Sequence, residues 1–174
     1  MLVSVQALRA LAAWVVVFHH VMQVFFDFQA DSFVGRLFAE RGAVGVDIFF
    51  VISGLVIYLS TQGKSITPWR FMLNRVLRIV PAYWLYSLIA ALIIAFVNPV
   101  MPVQEFDLHH LLLSLFFIPA ENPGGFGLYP TLNVGWTLNY EMFFYLLFAL
   151  AFVFTERLRL LFIVLALAAF GLLA

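Results

Sequence analysis

Five apolar runs decide what this sequence can fold into: residues 3–26, 43–61, 79–97, 134–154 and 160–174. A helix needs about 20 mainly apolar residues to cross a bilayer. The chain is 65% hydrophobic and 10% charged, with a mean hydropathy of +1.06, whereas soluble domains are about 25% charged. The pattern predicts an all-α integral membrane protein with about five transmembrane helices. A shorter apolar piece, residues 108–118, reads as an interfacial or re-entrant helix. Residues 27–42, 62–78, 98–107 and 119–133 read as loops. The last of these holds Pro123, Gly124, Gly125, Gly127 and Pro130, a turn-rich composition.

Charge sets an expected orientation. With the N-terminus cytoplasmic, Arg9, Lys64, Arg70, Arg75, Arg78, Arg157 and Arg159 fall on the inner side, and only Arg36 and Arg41 outside. That is the positive-inside pattern. The formal net charge of +0 offers no electrostatic case for nucleic acid. The absence of cysteine removes disulfides, thiolate metal sites and a cysteine acyl-enzyme. The first run carries Arg9 inside it and no clear cleavage site follows, so it reads as a retained helix. The last run offers only about 22 Å of helix against a core of about 30 Å. It reads as the edge of a fragment of a longer protein, one expected to be inactive in isolation.

Arg9 and His20 are the ionisable groups that matter most, because burying them in a span is costly and marks function by default. Eleven residues on a helix turn through about 1100°, so the two share a face about 16 Å apart, with His19 about 80° away. Entering from the cytoplasm, His20 lies about 25 Å along its helix. Asp47 lies about 6 Å and Glu141 about 10 Å below the opposite surface on two other helices. A histidine flanked by carboxylates is the usual make-up of a general base. Thr137, Glu141 and Tyr145 follow each other at four-residue steps and line one helix face. Arg75 and Arg78, three apart at the cytoplasmic end of the third run, suit phosphate recognition.

Blander readings stand beside these. Arg9 reads equally as a snorkelling end residue, and His20 as a helix-packing partner. Asp47 reads as a helix cap, and Gly45 and Gly54 as close-contact points between helices. His109 and His110 read as solvated surface residues. Ser53 has no neighbour in sequence to activate it as a nucleophile.

Four stretches together resemble the membrane acyltransferase 3 family, in the family's order. They are RALAAWVVVFHH with Arg9 and His20, GAVGVDIFFVISGLVI with Asp47, FMLNRVLRIVPAYW with Arg75 and Arg78, and GWTLNYEMFFYLLF with Glu141. The resemblance covers residues 1 to about 155 and implies the N-terminal half of a ten-helix bundle, residues 1–174 forming part of one transmembrane domain. It implies a bacterial inner-membrane O-acyltransferase that moves an acyl group, acetyl foremost, from cytoplasmic acyl-CoA to a hydroxyl of a polysaccharide. In that reading His20 is the catalytic base, Arg9 orients or binds the donor, and Arg75 and Arg78 belong to the CoA site. Acyl-CoA is then a substrate, and direct transfer calls for no metal and no permanently bound cofactor. The competing class is a transporter or flippase whose buried Arg, His and Glu form a path.

Overall fold

A computed structural model describes residues 3–64, 66–97, 105–125 and 127–173. Its described residues form seven α-helices and a short 3-10 helix, with no strand. They divide into two compact units, Met1–Lys64 and Ser65–Ala174. Most of the expected loop at 98–107, and Ala174 at the end of the last run, lie outside the described residues. Val3–Gln23, Val44–Thr61, Pro68–Phe96 and Asn133–Ala151 are long and apolar enough to cross a membrane. Trp14, Val51, Leu77, Leu85 and Leu92 leave large apolar side chains exposed along these helices, as lipid-facing surfaces require.

In the first unit, α1 (Val3–Phe26) is continuous. It stops where Asp27 and Phe28 both turn left-handed, at φ 47° and 59°. The Phe28 amide donates to the Met22 carbonyl, six residues back, at 2.9 Å, which satisfies an orphan carbonyl of the last turn. A helix unforeseen in the sequence reading, α2 (Phe33–Arg41), follows inside the expected loop 27–42. Its start is set by Ser32, whose side chain accepts from the Gly35 amide at 3.0 Å, a standard N-cap. α3 (Val44–Thr61) then packs along α1. The contact runs through Gly45, where an added Cβ would lie 2.7 Å from Val16 Cγ2 and 2.8 Å from the Ala12 carbonyl oxygen. The close-contact reading of Gly45 is therefore the right one, and Ala12 opposite it is 1% exposed.

In the second unit, α4 runs from Pro68 to Phe96 over 29 residues. Hydropathy alone starts this span at Ile79 and reads 62–78 as loop; the helix begins about three turns earlier. Hydropathy locates an apolar window, whereas capping locates a helix start. Thr67 accepts from the Arg70 amide at 3.3 Å and Pro68 occupies the first turn, where its missing N–H costs nothing. At 1.5 Å per residue α4 is about 43 Å long. α5 (Leu108–Leu115) is the expected short helix. It is tied to α4 by the Tyr83 hydroxyl donating to the Ser114 carbonyl and the Trp84 indole donating to that of Leu115, each at 2.9 Å. A 3-10 turn, Asn133–Gly135, leads into α6 (Trp136–Ala151). α7 (Glu156–Leu173) returns along α6, with the Phe170 ring 4.9 Å from that of Phe143. Only Leu158–Phe170 of α7 is strongly apolar, shorter than a full span.

His110 corrects a second expectation. His109 is exposed, but His110 is 5% exposed, not solvated. Its Nε2 donates to the Tyr129 carbonyl at 3.1 Å, and its Nδ1 meets the Thr131 hydroxyl at 3.1 Å. Ser114 closes the group by accepting from the Thr131 amide at 3.0 Å. The partners lie about twenty residues downstream, beyond the reach of any local pattern.

Asp107 caps α5 by accepting from the His110 amide at 3.1 Å. That bond holds its carboxyl below the usual carboxylate range, because it favours the charged form. A lowered value gives stability that is complete above the ordinary range and lost as pH falls through the lowered one. Amide-exchange protection at His110 should therefore drop only in acid. Asp107→Asn, which caps without titrating, should flatten that dependence. Protection at His110 that ignores acid in the parent protein would count against the cap.

Candidate active site

The first unit carries Arg9, His20 and Asp47. Because α1 is unbroken from Val3 to Phe26, Arg9 and His20 keep their shared face, and both are half-buried. His20 Nδ1 lies 2.8 Å from the Val16 carbonyl oxygen. A carbonyl only accepts, so Nδ1 carries a proton, and in the neutral imidazole the lone pair then lies on Nε2. This is the tautomer a general base needs, fixed by a residue one turn away on the same helix.

His19 is placed differently. Its Nδ1 donates to the Phe38 carbonyl of α2 at 2.8 Å, and its ring lies 5.1 Å from that of Phe28. An added Cβ at Gly42 would sit 2.5 Å from His19 Cβ. His19 thus fastens the α2 segment over the end of α1.

Asp47 lies in the first turn of α3 and is exposed. The cap reading fails, since the N-cap is Ala43 and no side-chain bond closes it. The carboxylate still complements the positive end of the helix dipole. Two residues beyond Gly45, Asp47 points about 200° away from the face that meets α1. Among the described residues, no hydrogen bond joins Asp47 to His20.

The second unit carries Glu141, Arg75 and Arg78. The Tyr145 hydroxyl donates to Glu141 Oε1, which confirms that these two share a helix face. Tyr145 is 3% exposed, so that face turns into the unit. The Arg75 guanidinium carbon lies 5.2 Å from the centre of the Phe71 ring and 5.4 Å from that of Tyr145. Both contacts are of cation–π type. Arg75 Nε is buried with no hydrogen-bond partner. Arg78, one turn on, is exposed.

The early start of α4 also revises the expected depths. α4 and α6 run antiparallel: Tyr83 meets Gly135, while Phe71 meets Tyr145, Phe148 and Phe152. Arg75 lies about 12 Å from Tyr83 along α4, and Glu141 about 9 Å from Gly135 along α6. The two groups sit within about one helical turn of the same level, not at opposite ends of their helices. Phe71 and Tyr145 were not singled out as partners of Arg75, although Phe71 stands four residues before it, the spacing of neighbours on one face.

Among the described residues, no three His, Asp or Glu side chains are grouped to hold a metal. The acyltransferase 3 model, described as an acyltransferase domain, matches residues 2–174, nearly the whole chain. The chain belongs to the acyltransferase 3 family. Among curated relatives, the exopolysaccharide production protein ExoZ of Rhizobium meliloti is 44% identical over 108 residues, 62% of this chain and 33% of that protein. The acyltransferase MdmB of Streptomyces mycarofaciens is 32% identical over 161 residues, 84% of this chain and 38% of that protein. The chain thus spans about a third of the length of these curated relatives. No solved structure matches it.

Proposed function

We propose that the chain is part of a multi-pass O-acyltransferase of the bacterial inner membrane, with its N-terminus cytoplasmic and both units belonging to one transmembrane domain. It moves an acyl group, acetyl foremost, from cytoplasmic acyl-CoA to a hydroxyl of an exported polysaccharide. The observation that carries this reading is the His20 ring, half-buried in an apolar helix with Nδ1 committed to the Val16 carbonyl and Nε2 left as base. His20 Nε2 takes the proton from the sugar hydroxyl. The sugar oxygen then attacks the thioester carbonyl, the carbon–sulfur bond breaks, and the CoA thiolate leaves and takes up a proton. Arg9 lies on the same face to orient the donor, and Arg78 offers an exposed guanidinium for its phosphates. Glu141 on α6 and Asp47 on α3 are the two further carboxylates proposed for acid–base work. Family membership and the exopolysaccharide relative support the glycan as acceptor.

The test uses membranes from cells expressing the complete coding sequence, radiolabelled acetyl-CoA and de-O-acylated exopolysaccharide. Label should pass to the polysaccharide, and mild alkali should release it as an ester. Membranes that bind and consume acetyl-CoA yet leave the glycan unlabelled would overturn the acceptor. Membranes that neither bind nor consume it would overturn the donor.

A further inference from the structure

We propose that Arg75 and Arg78 have separate tasks. Arg78 meets the donor's phosphates, while Arg75 is a positioning residue that acts through Tyr145 on Glu141. This rests on the acyltransfer reading above and deepens it.

The two arginines are three residues apart on α4 but live in different surroundings. Arg78 is exposed, so its fork of N–H donors is open to a ligand. The Arg75 guanidinium packs against the rings of Phe71 and Tyr145, at 5.2 and 5.4 Å. Both rings are themselves 3% exposed. A side-on bidentate grip on phosphate uses Nε together with one terminal nitrogen. In Arg75 the Nε is sealed inside the protein, so that grip is closed to it. What Arg75 does hold is Tyr145. The Tyr145 hydroxyl in turn donates to Glu141, which fixes the rotamer of that carboxylate. Arg75 on α4 therefore sets Glu141 on α6 through one intervening ring.

The experiment pairs calorimetry of CoA binding to the purified protein, expressed from the complete coding sequence, with steady-state transfer kinetics. Arg78→Ala should weaken CoA binding about tenfold or more, and Arg78→Lys should restore only part of it, since a point charge lacks the fork. Arg75→Ala should leave CoA affinity within about twofold and lower kcat about tenfold. Arg75→Lys, which keeps a cation over the rings, should recover most of that kcat. Tyr145→Phe preserves the packed ring and removes only the hydroxyl. It should reproduce the loss in kcat, and the Arg75→Ala, Tyr145→Phe double variant should be no worse than either single one. Equal loss of CoA affinity in Arg75→Ala and Arg78→Ala, or losses in kcat that multiply, would overturn the division. A parent protein that binds no CoA would instead overturn the acyltransfer reading itself.

Discussion

His20→Ala should abolish acyl transfer, with insertion and abundance unchanged. A positioned general base contributes about 10²- to 10⁴-fold, and the alanine variant keeps the apolar helix while removing the only lone pair set by the Val16 carbonyl. His20→Gln tests the point more finely, since it keeps bulk and polarity but cannot carry a proton. It should be as inactive as His20→Ala. His19→Ala should behave otherwise. It removes the bond to the Phe38 carbonyl and the ring contact with Phe28, so thermal stability should fall while transfer per folded molecule survives. The measurement is specific activity normalised to the folded fraction. If both histidine variants lose normalised activity equally, the imidazole of His20 is a packing group and not a base.

Gly45→Leu should separate α1 from α3, and Gly45→Ala should do so in part. Alanine in place of a helical glycine ordinarily gains about 0.5–1 kcal/mol. Here the new Cβ would meet the Ala12 carbonyl oxygen at 2.8 Å and Val16 Cγ2 at 2.7 Å. The side chain can give way, but a backbone carbonyl cannot move without its helix. Overpacking of this kind costs about 1–3 kcal/mol, so the clash wins and Gly45→Ala is net destabilising. The same shift disturbs Val16, whose carbonyl holds His20, and so stability and transfer should fall together. Thermal unfolding in detergent, read beside activity, checks this. A Gly45→Ala variant as stable as the parent would mean that the two helices do not need this approach.

The residues explain how far the sequence could be read. Register along one helix is a local property, so the shared face of Arg9 and His20 and the Glu141–Tyr145 pair were legible. Span positions were legible too, because hydropathy is a sum over a window. Helix starts were not, because a window average ignores Thr67 and Ser32, whose capping oxygens begin α4 and α2. Ring-nitrogen partners such as Phe38 for His19 and Thr131 for His110 lie 19 and 21 residues away. No periodicity encodes them. The separation of Arg75 from Arg78 was hidden in part for the same reason, since one of the two rings on Arg75, that of Tyr145, comes from another helix.

The length of α4 has a consequence for the lipid around it. A helix of about 43 Å would have to tilt about 46° to hide within a hydrocarbon core of about 30 Å, beyond the usual range. Its first turns, with the exposed Trp69 and Arg70, therefore belong among the headgroups, where an indole and a guanidinium are both at home. Arg75 and Arg78 then lie about one and a half to two and a half turns from that anchor, close to the edge of the hydrocarbon. The thickness of the bilayer sets how deeply each guanidinium sits, and so the protein is matched to a membrane as well as to its substrates.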